Sequence, residues 1–272
     1  MSGAMSPSGP RLTPKVARWR YVVPNAITCI GLLIGVTACF RAMEGQHIEA
    51  AWLIILCVLL DKLDGTAARV LGATSRIGVQ LDSFSDFVTF GLAPATLTYM
   101  IIWQGSFEGS SVAAFSMWDG ETSRWVLRML VGSYILCAVI RLAKFNVLTT
   151  ADADGVFYGY PTTSSGAMMA LLLLLLHKYE QVEVIAWLPV IAAVLGTLMV
   201  SNLPLPKVGS SKSKGMVAFQ GVCLVGAYVC GIARIYPEFL MALLLSFSVI
   251  GFIWGFLHRE ELTPTRLDPY PD

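Results

Sequence analysis

The chain has 272 residues, of which 56% are hydrophobic and 14% are charged, and its mean hydropathy is +0.67. Soluble domains typically carry about 25% charged residues, so this composition excludes an ordinary soluble protein and indicates one that lies mostly in a membrane. The formal net charge of +1 gives no global attraction to nucleic acid or to an acidic partner.

Apolar segments long enough to cross a bilayer as helices, about 20 residues each, recur along the chain. We predict spans over 23–42, 47–67, 81–103, 125–146, 161–177, 183–203, 215–235 and 238–257. The sequence therefore predicts an all-α integral membrane protein, a polytopic bundle of about eight transmembrane helices. We expect residues 1–20 to form a disordered cytoplasmic segment, 21–258 a single transmembrane catalytic domain, and 259–272 a cytoplasmic tail.

Two further features concern the segments between and within the spans. The polar stretch 104–123 contains several Gly and Ser residues and is predicted to be a long loop. The six cysteines all lie in apolar runs without a C-x-x-C pair, which favours packing residues over disulfides or zinc ligands; they are Cys29, Cys39, Cys57, Cys137, Cys223 and Cys230.

The basic residues are divided unevenly between the two ends of the predicted spans. With a cytoplasmic N-terminus, the far side carries only five of the 19 Lys and Arg residues and the near side carries the rest; the five are Arg41, Arg124, Arg128, Lys178 and Arg234. Because loops rich in Lys and Arg stay in the cytoplasm, this bias predicts a cytoplasmic N-terminus. It also places the loop after the second span on the cytoplasmic side.

Around that loop stands a cluster of four aspartates. The chain runs Asp61-Lys-Leu-Asp64-Gly65-Thr-Ala-Ala68-Arg69, then eight residues, then Gly78-x-x-x-Asp82-x-x-x-Asp86. Acidic groups are unfavourable near a membrane interior, so such a cluster indicates a functional site. Four carboxylates this close together repel one another strongly unless cations lie between them. The cluster therefore predicts a divalent-metal site at a membrane surface.

The spacing of the four acids supports this interpretation. Asp61 and Asp64 stand at i, i+3 and Asp82 and Asp86 at i, i+4, so each pair shares one helix face. Facing each other across a helical hairpin, the two pairs can ligate two hard cations, for which Mg²⁺ or Mn²⁺ suits carboxylate oxygen. An alternative is a salt-bridge cap with Lys62, Arg69 and Arg76, but exposed ion pairs contribute little stability.

Neighbouring residues of the cluster suit a diphosphate. Gly65 removes a side chain beside Asp64, which lets a phosphate or ribose approach the backbone. Arg69 adds a cation whose planar fork suits bidentate phosphate binding. Metals, arginine and glycine together predict a diphosphate clamp that promotes displacement at phosphorus by positioning and by neutralising charge.

At these residues the chain resembles the CDP-alcohol phosphatidyltransferase family. The family signature is D-x-x-D-G-x-x-A-R, eight residues, G-x-x-x-D-x-x-x-D, and every fixed position is matched. The resemblance implies a six-helix membrane core, here with extra C-terminal helices, that releases CMP as an alcohol takes the phosphatidyl group. It further implies a homodimer in a bacterial inner membrane, with the active site on the cytoplasmic side.

The resemblance also implies roles for the residues of the signature. Asp61, Asp64 and Asp82 are expected to bind metal, while Asp86 is expected to bind metal and to act as the catalytic base. The CDP-lipid is expected to contact residues throughout the signature, namely Asp61, Gly65, Ala68, Arg69 and Gly78. A base is also needed on chemical grounds, because a serine-type hydroxyl is barely acidic and must lose its proton as it attacks.

Several further motifs resemble the phosphatidylserine synthase branch of the family, which implies CDP-diacylglycerol and L-serine as substrates. These motifs are Pro24-Asn25-Ala-Ile-Thr28, the run from Asp82 to Pro94, Arg141-Leu-Ala-Lys144-Phe-Asn146, Gly159-Tyr-Pro161-Thr162 and, more faintly, Pro204-Leu-Pro206-Lys207. The chain departs from the branch at Lys144, where arginine is usual. Lysine keeps the charge but lacks the planar fork.

L-Serine needs one partner for its carboxylate and another for its ammonium group. Arg141 and Lys144 are the candidates for the carboxylate, and Asn25 and Asn146 are weaker candidates for the amine. The alternative for the two basic residues is that they hold a helix end at the lipid headgroups.

Two rival functions stay open at this point. A sister transferase would use glycerol 3-phosphate, inositol phosphate or choline, and Lys62, Arg76 and Lys207 could bind a phosphorylated acceptor. An ion-coupled transporter is the more remote rival, because transporter sites usually lie near the bilayer midplane between repeats.

Overall fold

A computed structural model of the chain describes residues 19–72, 75–148, 156–201, 204–206 and 214–257. Within these ranges the fold consists of nine α-helices: α1 (Trp19–Met43), α2 (His47–Leu71), α3 (Arg76–Asp86), α4 (Ala93–Gln104), α5 (Glu121–Leu148), α6 (Thr162–Lys178), α7 (Leu188–Val200), α8 (Lys214–Ala233) and α9 (Pro237–Leu257). The predicted all-α class is thereby confirmed.

Short elements join the helices. A π-helix (Phe87–Leu92) connects α3 to α4, and a 3₁₀-helix (Val182–Trp187) leads into α7. The predicted loop 104–123 has its own structure, because β1 (Ser106–Phe107) pairs antiparallel with β2 (Ser110–Ser111) and a 3₁₀-helix (Ala113–Trp118) follows. A second antiparallel pair joins β3 (Val156–Tyr158) to β4 (Pro204–Pro206).

The helices have the character of membrane spans. Each of the eight predicted segments overlaps a helical segment of the structure. Among the described residues, the segments long and apolar enough to cross a membrane are Arg20–Met43, Ile77–Gln104, Glu121–Val147 and Val182–Val200, and shorter apolar helices cover Phe219–Ala233 and Pro237–Ile253. The outer surface exposes large apolar side chains such as Leu33, Met129 and Val222, as expected for helices that face lipid.

The chain ends bear on two predicted boundaries. Helix α1 begins at Trp19, so it includes the last two residues of the segment predicted to be disordered. Residues 1–18 of that segment and the predicted tail 259–272 lie outside the described residues. The six cysteines are free thiols in the structure; Cys39, Cys57 and Cys230 are buried, whereas Cys29 is exposed.

Close packing around the π-helix fixes the centre of the bundle. A Cβ atom on Gly35 of α1 would lie 2.6 Å from Cγ2 of Thr89, and one on Gly166 of α6 would lie 3.0 Å from the Phe90 backbone. Small residues of this kind let membrane helices approach closely. The hydroxyl of fully buried Tyr134 in α5 donates to the Phe90 carbonyl at 2.7 Å. Helices α1, α5 and α6 are thus tied to the segment that directly follows Asp86.

Candidate metal and substrate site

A tight connection between α2 and α3 brings the two halves of the aspartate cluster together. Gly72 ends α2 in the left-handed conformation, with φ of 57°, and its N–H group contacts the carbonyls of Ala68 and Arg69. Glycine adopts this conformation without the penalty that a Cβ atom imposes. Ser75 then caps α3 by accepting a hydrogen bond from the Gly78 N–H at 2.9 Å. Local sequence therefore ends one helix and begins the next.

Three of the four aspartates form a compact group. One carboxylate oxygen from each of Asp61, Asp64 and Asp82 lies within 4.8 Å of the others. Asp86 lines the same cavity as these three. Carboxylate oxygens at this spacing suit a hard divalent cation. The structure therefore brings all four predicted residues to one place, with Asp86 beside the group of three rather than within it.

Burial and mutual repulsion act together on the carboxylates of the cluster. Asp82 experiences the charges of Asp61 and Asp64, and Asp86 experiences those of all three. The exposed side chain of Lys62 acts on Asp61 and Asp86 from a distance. Among the described side chains, none of the ion pairs within 4.0 Å includes one of these four acids.

That result bears on the salt-bridge alternative. Neither Lys62 nor Arg69 forms an ion pair with the cluster in the described part of the chain, and the side chain of Arg76 lies outside it. A group of close carboxylates without direct cationic partners is unstable unless another cation compensates the charge. The arrangement fits a bound divalent ion better than a cap of ion pairs.

The predicted CDP-lipid residues lie along the end of this hairpin. A Cβ atom on Gly65 would meet no heavy atom within 4 Å, so the space beside Asp64 is open. Arg69 is exposed and donates from Nη2 to Oγ1 of Thr66 at 3.2 Å. Ala68 is half-buried. Gly78 serves a close approach instead, because a Cβ atom there would lie 3.0 Å from Oδ1 of Asn25.

The predicted acceptor residues converge on α3 from α5 and α1. Arg141 is buried, its charge interacts with that of Asp86, and its Nε has no hydrogen-bond partner among the described residues. Asn146 donates from its amide to Oγ of Ser83 at 2.9 Å. Lys144 is half-buried, and Asn25 reaches Gly78 as described above. Asn25 and Asn146 thus contact α3, Arg141 interacts with Asp86, and Lys144 interacts with Arg141.

Two residues that contact the cluster's helix were not predicted as site residues. Thr28 of α1 donates from Oγ1 to Oδ2 of Asp64 at 2.7 Å, across 36 positions of sequence. Tyr228 of α8 donates to the Leu59 carbonyl at 2.8 Å, across 169 positions. Thr28 belongs to the Pro24–Thr28 motif identified in the sequence, whereas no local sequence pattern indicates a role for Tyr228.

Comparisons with known proteins agree with this geometry. The family model for CDP-alcohol phosphatidyltransferases matches residues 21–199. A CDP-diacylglycerol–serine O-phosphatidyltransferase from Helicobacter pylori strain J99 is 31% identical over 189 residues, which cover 68% of this chain and 72% of the relative.

Similar proteins with the same description come from other organisms. The relative from Mycobacterium bovis is 32% identical over 219 residues, covering 76% of this chain and 70% of its own length. The relative from Methanocaldococcus jannaschii is 29% identical over 231 residues, covering 85% of this chain and 92% of its own length.

Proposed function

We infer the function from the family: the chain belongs to the CDP-alcohol phosphatidyltransferases, whose model spans more than half of it. We propose that it transfers the phosphatidyl group from CDP-diacylglycerol to the hydroxyl of L-serine, giving phosphatidylserine and CMP. The observation that carries the reaction is the complete family signature in the sequence, whose four aspartates line one cavity. Serine as the acceptor is supported by relatives described as serine enzymes.

The carboxylates fit a divalent cofactor. We propose that Asp61, Asp64, Asp82 and Asp86 together hold two ions of Mg²⁺ or Mn²⁺, since three of them already present oxygens within 4.8 Å of one another. Bound there, such ions would neutralise the charge of the diphosphate and of the departing phosphate.

The CDP-lipid would lie over the open end of α2. Open space beside Gly65 gives the diphosphate access to the backbone next to Asp64. The exposed guanidinium of Arg69 presents a fork that can bind two phosphate oxygens at once. Ala68 and Gly78 complete this proposed surface, and Asp61 contributes to it from within the cavity.

Asp86 is the proposed base. As the serine oxygen forms its bond to the phosphorus of the phosphatidyl group, the bond from that phosphorus to the CMP oxygen breaks and the serine hydroxyl proton passes to Asp86. A carboxylate in this position removes a proton that a free hydroxyl would not release. The charge of buried Arg141 interacts with that of Asp86. Arg141 therefore places a cation beside the proposed point of attack.

Arg141 is therefore the proposed partner of the serine carboxylate. Its buried Nε, unpaired within the described residues, is a donor that a ligand can satisfy. Lys144, one helical turn along α5, is a second proposed contact. Asn25 and Asn146 are the proposed partners of the amine. The Asn146 oxygen lies 3.2 Å from the Ser83 hydroxyl and has a second lone pair that could accept from the amine.

Topology, location and assembly complete the proposal. We propose that the N-terminus and the active site face the cytoplasm, as the distribution of basic residues predicts, in a bacterial inner membrane. We further propose a homodimer, on the strength of the family resemblance. The transporter alternative is disfavoured because the acids lie on two consecutive helices, α2 and α3, rather than between two repeats.

A release assay tests the reaction and the acceptor together. Purified protein with CDP-diacylglycerol and Mn²⁺ or Mg²⁺ should release CMP when L-serine is added. Glycerol 3-phosphate, inositol phosphate and choline, tested in parallel, should not stimulate release. Release with one of those acceptors would be consistent with the family assignment but would overturn serine as the acceptor. Absence of release with any acceptor, from folded, metal-loaded protein, would contradict the whole proposal.

A further inference from the structure

The hydroxyl of Thr28 contacts the metal cluster from a helix that does not contain the signature. Its Oγ1 lies 2.7 Å from Oδ2 of Asp64 and 3.1 Å from the carbonyl oxygen of Pro24. A hydroxyl has one hydrogen, so it can donate fully to only one of these acceptors. The shorter distance is typical of a bond to an ionised carboxylate, which is also about twice as strong as a bond between neutral groups. The proton therefore points mainly to Asp64.

Both partners of this bond are sheltered from solvent. Thr28 is 6% exposed and Asp64 is 5% exposed, which makes Asp64 the most buried member of the group of three. Water is therefore a poor substitute for the hydroxyl. The Gly65 backbone also bonds this carboxylate, so loss of the hydroxyl would remove one of its donors and leave the buried charge less fully satisfied.

Helix α1 is placed to hold this contact firmly, because it packs against both α2 and α3. The Ser85 hydroxyl in α3 donates to the Thr28 carbonyl at 3.3 Å. Gly31, one turn further along α1, approaches Ser85 and Leu60 without a side chain between them. The backbone around Thr28 is thus fixed by the same two helices that present the aspartates.

We propose that Thr28 is a positioning residue for the metal site. Its hydroxyl holds the Asp64 side chain in one rotamer, so that an oxygen of Asp64 stays within reach of those of Asp61 and Asp82. This inference deepens the proposed function and rests on it for the assumption that the cluster binds a divalent cation. Residues that orient a metal ligand in this way typically change metal affinity or activity by about 10-fold to 100-fold when they are mutated.

Direct Mn²⁺ binding tests the proposal without relying on turnover. Binding to purified protein is followed from the loss of the free-ion electron paramagnetic resonance signal. We expect T28V to weaken Mn²⁺ binding about 10-fold or more, and T28S, which keeps the hydroxyl, to bind nearly as the wild type does. T37V is the matched control, because Thr37 lies in the same helix and its hydroxyl donates to the Leu33 carbonyl, at 2.8 Å, rather than to an aspartate of the cluster.

Each outcome decides between the proposals. Equal Mn²⁺ binding by T28V, T37V and wild type would overturn the role of Thr28 while leaving the proposed reaction intact. Absence of Mn²⁺ binding by folded wild-type protein would overturn the metal site itself. T28A, which also removes the hydroxyl, is measured in case T28V does not fold. Failure of both to fold, with T28S folded, would assign the hydroxyl to stability and overturn the positioning role.

Discussion

The two halves of the proposed site differ in how their residues are brought together. The metal half comes from one stretch of chain, in which α2 and α3 supply Asp61, Asp64, Asp82 and Asp86 across a single connection. The acceptor half depends on α5, whose Arg141 and Asn146 meet the signature only through the packing of the bundle. If the proposed assignments hold, a contiguous motif determines the phosphoryl chemistry, while the choice of alcohol depends on long-range contacts.

The halves also differ in how well their polar groups are satisfied. In the metal half, Asp64 accepts a hydrogen bond from the Thr28 hydroxyl. The close carboxylates of this half would be stabilised by a bound cation. In the acceptor half, buried Arg141 retains a donor without a partner among the described residues, and its charge interacts with that of Asp86. Changes in the first half should abolish the reaction, and changes in the second should alter its serine dependence.

Removal of the divalent metal should have the largest effect. Chelation should abolish CMP release for every acceptor, because the carboxylates would then repel one another and the diphosphate would lack a counter-charge. Activity in the presence and absence of a chelator, followed by titration with Mn²⁺ or Mg²⁺, measures this. Unchanged release after complete chelation would show that the aspartates act without metal.

Replacement of the proposed base should come next. We expect Asp86→Asn to lower kcat by about 10²-fold to 10⁴-fold, the usual contribution of a general base, because the amide cannot take the serine proton. The matched control is Asp119→Asn, since Asp119 is an exposed acid that pairs only loosely with Arg124, at 3.6 Å. Folding is compared by thermal unfolding and by size-exclusion chromatography. Near-normal turnover of a folded Asp86→Asn variant would show that Asp86 is not the catalytic base.

These two changes probe the half that sequence could predict well. Helix spacing alone places Asp61 with Asp64 and Asp82 with Asp86, and glycine and serine at the connection encode the turn. The long apolar runs likewise predicted the positions of the helical segments. Both signals are local in the sequence, so they can be recognised without knowledge of the tertiary structure.

The remaining features depend on contacts between distant parts of the chain. The bond from Thr28 to Asp64 spans 36 positions and that from Asn146 to Ser83 spans 63. The π-helix after Asp86 is stabilised by Tyr134 from α5, and apolar periodicity does not reveal it. Spacing cannot predict such contacts, because they depend on how whole helices pack.

In the acceptor half, truncation of the buried cation should affect the use of serine rather than the binding of the CDP-lipid. We expect Arg141→Ala to raise KM for serine by about 10-fold to 100-fold, the range for a lost hydrogen bond to a charged group, with KM for the CDP-lipid nearly unchanged. Arg128→Ala is the control from the same helix, since Arg128 lies over the Trp103 and Trp125 rings. An unchanged serine response would place the acceptor pocket elsewhere.

Arg69→Lys should have a smaller effect with the opposite selectivity. Lysine keeps the charge but loses the fork, so KM for CDP-diacylglycerol should rise by about 10-fold, as expected for the loss of one charge-assisted bond. Titration of each substrate at saturating levels of the other separates the two halves. A larger change in the serine KM than in the lipid KM would contradict the assignment of Arg69.

The smallest expected effect comes from Lys144→Arg, which restores the residue usual in the serine branch. Lys144 is half-buried one turn from Arg141, and the two positive charges repel each other. A bound carboxylate would relieve that repulsion, and a planar fork would bind it better than an ammonium group does. We therefore expect KM for serine to fall about 2-fold to 10-fold, within the net worth of one hydrogen bond, while kcat and the lipid KM stay constant. An unchanged serine KM would assign Lys144 to the membrane surface, where it would hold the end of α5 at the headgroups, and would leave Arg141 as the proposed carboxylate partner on that helix.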